Sequence, residues 1–271
     1  MITSEISVTI LGSGSSGGVP RIGPDGPDWG ACDPANPKNR RRRCAILVRC
    51  GATSVLVDTS PDMREQLIDA RCGQLDGVLI THDHADQTHG LDDLRMIAQN
   101  MRKRVRVISD QATITSLSSR FSYCFHGAPG GYPQILDAEI LPEPFAPFVI
   151  EGKGGAIPVL AFAQDHGSMR SLGFRFGKIA YSSDLVAIPE ASHAALEGLD
   201  CWIVDALRDK PHPTHSHVEQ TLAWIRHFRP KRAILTNLHI DLDYERLKAR
   251  LPANVEPAFD GMTIVAQLPV N

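Results

Sequence analysis

The chain has 271 residues, six of them cysteine, and a net charge near −3 with histidines neutral. A chain of this length buries roughly three quarters of the surface its unfolded form exposes, so its core needs no covalent staples, and the lack of a basic excess argues against duplex nucleic acid as a partner. Cys32, Cys44, Cys50, Cys72, Cys124 and Cys201 form no CxxC pair, which excludes a dense disulfide scaffold or a zinc ribbon and reads as reduced thiols. Met1 to Glu5 carries no basic region ahead of an apolar stretch, and no run of 18 apolar residues follows. The expectation is a single cytoplasmic domain over 1–271 that does not enter a membrane.

In chain order, Ile6 to Leu11 alternates like a strand and runs into Gly12-Ser13-Gly14-Ser15-Ser16-Gly17-Gly18, read as a flexible loop ending at Pro20. Arg21 to Asn39, rich in Pro, Gly, Asp and Asn, predicts a long surface loop. The basic run of Lys38, Arg40, Arg41, Arg42 and Arg43 has two readings, a solvated gatekeeper beside a strand or an attractor of an anionic substrate. Cys44 to Arg49 and Ser54 to Asp58 predict a hairpin about Gly51. Pro61 opens a helix that carries Met63, Leu67 and Ile68.

A strand from Gly77 to Thr81 leads to a histidine-rich loop, a helix over Leu91 to Met101, a strand over Val105 to Ser109 and another short helix. Phe121 to Pro147 is irregular and reads as a lid or substrate wall. Further strands are predicted at Ala156 to Ala163, Leu172 to Phe176, Ile179 to Ser182 and Cys201 to Asp205, with helices near Pro189 to Leu196 and Val218 to Phe228 and short strands from Val255. Strand pairs precede helices in each half, which predicts an α/β fold: an αββα sandwich of two mixed sheets with helices outside.

Thr81-His82-Asp83-His84-Ala85-Asp86-Gln87-Thr88-His89-Gly90 stands at the end of an apolar strand. In extended backbone, residues two apart project to the same side, so His82 and His84 can offer ring nitrogens to one cation. Asp86 follows on the turn and can bind a second. Imidazole together with carboxylate does not decide the metal. Ligand-type residues recur at later strand ends, in Asp165-His166-Gly167, Ser183-Asp184 and Asn237-Leu238-His239. Each alone is weak, because a lone histidine is more often a satisfied polar residue than a ligand.

Together these residues resemble the metallo-β-lactamase superfamily, whose His-x-His-x-Asp-His motif is followed by distant His, Asp and His. The resemblance covers most of the chain and implies a hydrolase with two divalent cations, manganese or zinc. It implies His82, His84 and His166 as ligands of the first cation, Asp184 as the bridging carboxylate, and Asp86 and His239 on the second cation. Gln87 stands where the family has its fourth motif histidine. Its amide oxygen would be a weaker donor, leaving a looser second site that suits manganese better than zinc, with His89 three residues on as an alternative donor. Asp58 matches the superfamily's first-motif aspartate and would support the ligands, its plain alternative being a helix cap ahead of Pro61.

Three further stretches, Leu11 to Pro20, Gly90-Leu91-Asp92-Asp93-Leu94-Arg95 and His212-Pro213-Thr214-His215, are similar to the phosphodiesterase branch associated with carbon–phosphorus bond cleavage and to tRNA 3′-processing endonucleases. The resemblance implies a small phosphodiester or nucleotide substrate, with His215, Asp184 and Asp58 carrying the chemistry and His215 as general acid. His217 and His212 compete for that role. Arg95, His217 and one of Arg40 to Arg43, with Arg43 the candidate, would hold phosphate. The cysteine-rich zinc knuckle of the branch is reduced to Cys32, and structural zinc needs four donors, so no third zinc is expected. A homodimer is left open. Two rivals differ in class: a lactone or thioester hydrolase on the same centre, and a nucleotide- or metal-binding protein without turnover, which Gln87 raises. A redox centre would ask for His-x-Glu-x-Asp, and His84 stands at that middle position.

Overall fold

The alternation at the amino end does place every second residue in the core. In the computed structural model, which describes residues 5–127, 130–131 and 133–268, Ile6, Val8 and Ile10 of strand β1 (Glu5–Gly12) are fully buried. Residues 1–4 of the reading of the amino terminus lie outside the described residues. The predicted surface loop contains a two-stranded ribbon, β2 (Arg21–Gly23) and β3 (Gly26–Asp28), which its Pro and Gly content concealed. The hairpin follows as β4 (Ala45–Cys50) and β5 (Thr53–Val57), then helix α1 (Met63–Asp69) and β6 (Gly77–Leu79). Helix α2 (Ala85–Thr88), α3 (Leu94–Met101), β7 (Val105–Ser109), α4 (Gln111–Arg120), α5 (Ser122–His126) and β8 (Leu136–Ile140) complete the first half.

The second half holds β9 (Phe148–Gly152), β10 (Gly155–His166), β11 (Met169–Phe176), β12 (Ile179–Ser182), β13 (Cys201–Asp205), α6 (Val218–Phe228), β14 (Arg232–Thr236), α7 (Tyr244–Lys248), β15 (Val255–Pro257) and β16 (Thr263–Gln267). Two seven-stranded sheets result, in the orders β16-β1-β4-β5-β6-β7-β8 and β15-β14-β13-β12-β11-β10-β9. Both mix parallel and antiparallel pairs, as the αββα expectation requires. Val55, Val57, Phe174, Tyr181, Ile203 and Ile234 meet between the sheets. Leu47, Leu56 and Val78 pack outward under α1 and α3, and Trp202 and Val204 under α6. Burial on both faces explains why the central strands read as near-continuous apolar runs.

Two predictions of irregularity are corrected. Part of Phe121 to Pro147 is ordered as α5 and β8, and β8 pairs parallel to β7. Ala128, Pro129 and Tyr132 of that segment lie outside the described residues. The glycine loop is also tied down: Gly14 N–H donates to the Arg42 carbonyl, and Leu238 N–H to that of Ser13. A Cβ at Gly12 would lie 1.9 Å from the Arg43 carbonyl oxygen, so only glycine permits this approach.

Candidate metal centre

The site collects at the carboxyl ends of strands from both sheets, joined where Leu172 N–H of β11 donates to the Thr81 carbonyl just past β6. Three residues at these ends are left-handed without being glycine: Asp58 after β5 (φ 66°), Asp184 beyond β12 (φ 51°) and Asn237 after β14 (φ 61°). Backbone of this kind costs energy and persists where surrounding structure holds it, commonly at functional sites.

His82, His84 and His166 converge there. The Nδ1 of His84 lies 3.0 Å from His82 Nε2 and 3.3 Å from His166 Nε2. The opposite ring edges show where the protons are. His166 Nδ1 sits 2.6 Å from the Thr214 carbonyl, which can only accept, so Nδ1 carries the proton and Nε2 is bare. For His82 the cause runs through two residues: the Thr81 hydroxyl donates to Asp58 (3.0 Å), leaving its oxygen to accept from His82 Nδ1 (3.0 Å). Burial holds the proton affinity of His82 well below the ordinary histidine range and lowers that of His166, and neighbouring imidazoles add to both effects. The bare Nε2 atoms of His82 and His166, converging on His84 Nδ1, are the kind of donor set a divalent cation takes.

Asp58 is fully buried, and burial pushes its carboxyl well above the usual range. It also accepts the Thr81 N–H at 2.8 Å. It orients Thr81 and does not cap α1, whose N-cap is Asp62. Asp184 and His215 stand beside His166 as a second cluster. His215 Nδ1 bonds Asp205 Oδ2 at 3.0 Å and lies 3.7 Å from Asp184 Oδ1. Burial opposes a charge on His215, but the hydrogen bond and charge of Asp205, joined by Asp184 and Asp86, outweigh it and raise the imidazole to about 9.

Other predicted residues are engaged in contacts of their own. His239 turns its Nδ1 to Asp241 Oδ2 at 3.0 Å and joins neither histidine cluster among the described residues. Gln87 presents its amide nitrogen, not its oxygen, to Asp86 (3.3 Å) and Asp184 (3.1 Å). His89 faces Arg120 at 2.8 Å. Arg95 is held in a two-point pair by Asp92, at 2.7 and 2.9 Å, and Arg43 pairs with Asp62 at 2.9 Å. His217 is the N-cap of α6, while the ring of His212 lies tilted against that of His215, centroids 5.1 Å apart. Neither reading of the basic run holds throughout: Arg41 is buried and donates to the carbonyls of Leu242 and His239, and Arg42 pairs with Asp69 and Asp260. Local sequence could not show the pairings of Arg42 and Arg43 or the Gln87–Asp184 contact, because those carboxylates lie 19 or more residues away.

Sequence reasoning also missed Thr81, Asp205 and Thr214, and only the strand-end position of Asp205 signalled it. Arg21 was missed as well. Its Nε is buried without a hydrogen-bond partner among the described residues, and after burial its charge is the strongest influence lowering the proton affinity of His239.

Comparison with known proteins shows the family. The profile of the beta-lactamase superfamily domain matches residues 53–240, and the chain belongs to that superfamily. It is a metal-dependent hydrolase by class. A diphosphatase of the PhnP family shares 33% identity, with 98% of this chain and 99% of that one covered and a TM-score of 0.86, which places the chain in the PhnP branch. The short form of human tRNase Z shares the fold at 19% identity, covering 97% of this chain and all of that one, TM-score 0.67. An octanoyltransferase of Porphyromonas gingivalis is 30% identical over 261 residues, 94% of this chain. The chain spans 51% of that relative's length. No helix of the described residues is long and apolar enough to cross a membrane.

Proposed function

We propose that the chain hydrolyses a small phosphodiester or diphosphate at a divalent-cation centre held by His82, His84, His166 and Asp184. The observation that carries this reading is the convergence of three imidazoles, two of them (His82 and His166) with outward-directed protons, beside the Asp205–His215 pair. When bound, a divalent cation supplies Lewis acidity toward phosphoryl oxygen and makes water acidic enough to react near neutral pH. Thr81 and Thr214 keep the ligand nitrogens bare. Asp205 orients His215 by its Nδ1 proton, and the other ring edge is left to give a proton to a leaving alkoxide. Arg21, rather than Arg95 or Arg43, is free to hold a phosphate oxygen.

Screening metal-defined protein against bis(4-nitrophenyl) phosphate, cyclic nucleotides, a nucleoside diphosphate ester, a lactone and an octanoyl thioester tests the proposal. Faster turnover of the thioester than of every phosphate compound would replace it. The octanoyltransferase relative supports that second reading through its name, and the PhnP-family diphosphatase, matched over its whole length, supports the first. A thiolate leaves without protonation more readily than an alkoxide does, so the Asp205–His215 pair also suits the phosphate reading better.

Two variants probe supporting residues. Thr81→Val keeps the shape but removes the relay between Asp58 and His82, and should weaken cation affinity about 10- to 100-fold, with Thr81→Ser restoring it. A competitive chelator titration reads this, and wild-type affinity in Thr81→Val would remove the relay. Arg21→Ala should raise KM about tenfold or more with kcat little changed, the loss expected for one charged hydrogen bond. An unaltered KM would exclude Arg21 from substrate binding.

A further inference from the structure

Gln87 is fully buried, and its position is set by backbone: its carbonyl accepts from Thr59 N–H at 2.8 Å and its own N–H donates to His84 at 3.1 Å. Its side-chain Nε2 lies 3.3 Å from Asp86 Oδ2 and 3.1 Å from Asp184 Oδ2. A primary amide has two N–H donors, and here one goes to each carboxylate. Turned over, the group would set its oxygen against two carboxylates with no proton among three acceptors. The structure accepts a cost for the observed orientation, since Oε1 is buried without a hydrogen-bond partner among the described residues. His239, the remaining residue expected at this position, is engaged by Asp241.

We infer that the centre holds one cation, because the Gln87 amide bridges Asp86 and Asp184 where a second cation would otherwise join them. The inference rests on the metal-centre reading above and departs from the two-cation expectation. Gln87 is then a positioning residue: it fixes one oxygen of Asp184, while the other lies 3.7 Å from His215 Nδ1. Tying two close carboxylates together by amide hydrogen bonds instead of by an ion leaves the site with a single Lewis-acid position.

The test counts ions. Metal-stripped protein is loaded with zinc or with manganese, dialysed and assayed by elemental analysis, and the manganese form is examined by electron paramagnetic resonance. Wild type should retain one ion per chain and give the spectrum of isolated manganese. Gln87→His and Gln87→Ala, which remove the two-carboxylate bridge, should bind a second ion about tenfold or more tighter than wild type does and show a coupled manganese pair. Two ions of similar affinity in wild type, or variants that stay at one, would overturn the inference. The wild-type count decides even where a variant does not fold. One ion without hydrolysis leaves the inference standing and removes the proposed activity, two ions with hydrolysis does the reverse, and no bound ion removes both.

Discussion

Asp184→Asn should lower turnover of every phosphate substrate by about 1,000-fold or more, about 4 kcal/mol of transition-state stabilisation, while leaving a folded protein. Among the described residues Asp184 is the carboxylate that groups with both His166 and His215, so on the proposed reading its loss removes a charged donor from the cation and a counter-charge from the imidazole together. Its carboxyl is raised by burial above the usual range, so a neutral amide of the same shape relieves a desolvation cost. Thermal stability without metal should therefore stay level or rise while retained metal falls. Unchanged turnover with full metal content would remove Asp184 from the centre, and an unfolded variant would show that the charge serves the fold instead.

The second large effect is expected at His215. His215→Ala should slow hydrolysis of substrates with alkoxide leaving groups by about 100-fold or more, and of nitrophenyl esters far less, because an activated leaving group departs without a proton. Its folded value of about 9 lies above the ordinary 6.5, so the imidazolium is the form present at neutral pH. The proton is lost as pH rises through about 9, so the alkoxide rate should decline over that range and stay flat below it as far as this group is concerned. His215→Ala should lack the alkaline limb. Equal losses on both leaving groups would make His215 a substrate-binding residue, and a limb that persists in the variant would belong to another group. Asp205→Asn should shift the same limb to lower pH, because Asp205 is the largest influence holding the proton on.

Several elements were legible because their cause is local. The strands over 105–109, 179–182 and 201–205 and the helix over 218–228 match their predicted bounds, each set by apolar spacing within a few residues. Short-range patterns failed where pairing is remote. Strand β8 reads as irregular, since Asp137 and Glu139 alternate with small or apolar residues at a sheet edge and its order comes from β7. Strand β16 returns to pair with β1 across more than 250 residues, and no periodicity announces that.

The sequence by itself determined the superfamily and pointed to the three histidines that converge, because His82 and His84 share a strand-to-helix turn and His166 follows an apolar run. What only the tertiary structure decided is where the protons and charges go. Thr214 lies 48 residues from the ring it orients, Asp205 ten from His215, and Asp184 97 from the amide of Gln87. A residue type states what a side chain can donate or accept. Which partner it meets, and so whether Gln87 offers an oxygen to a cation or its hydrogens to two carboxylates, depends on distances that exist only once the two sheets are packed together.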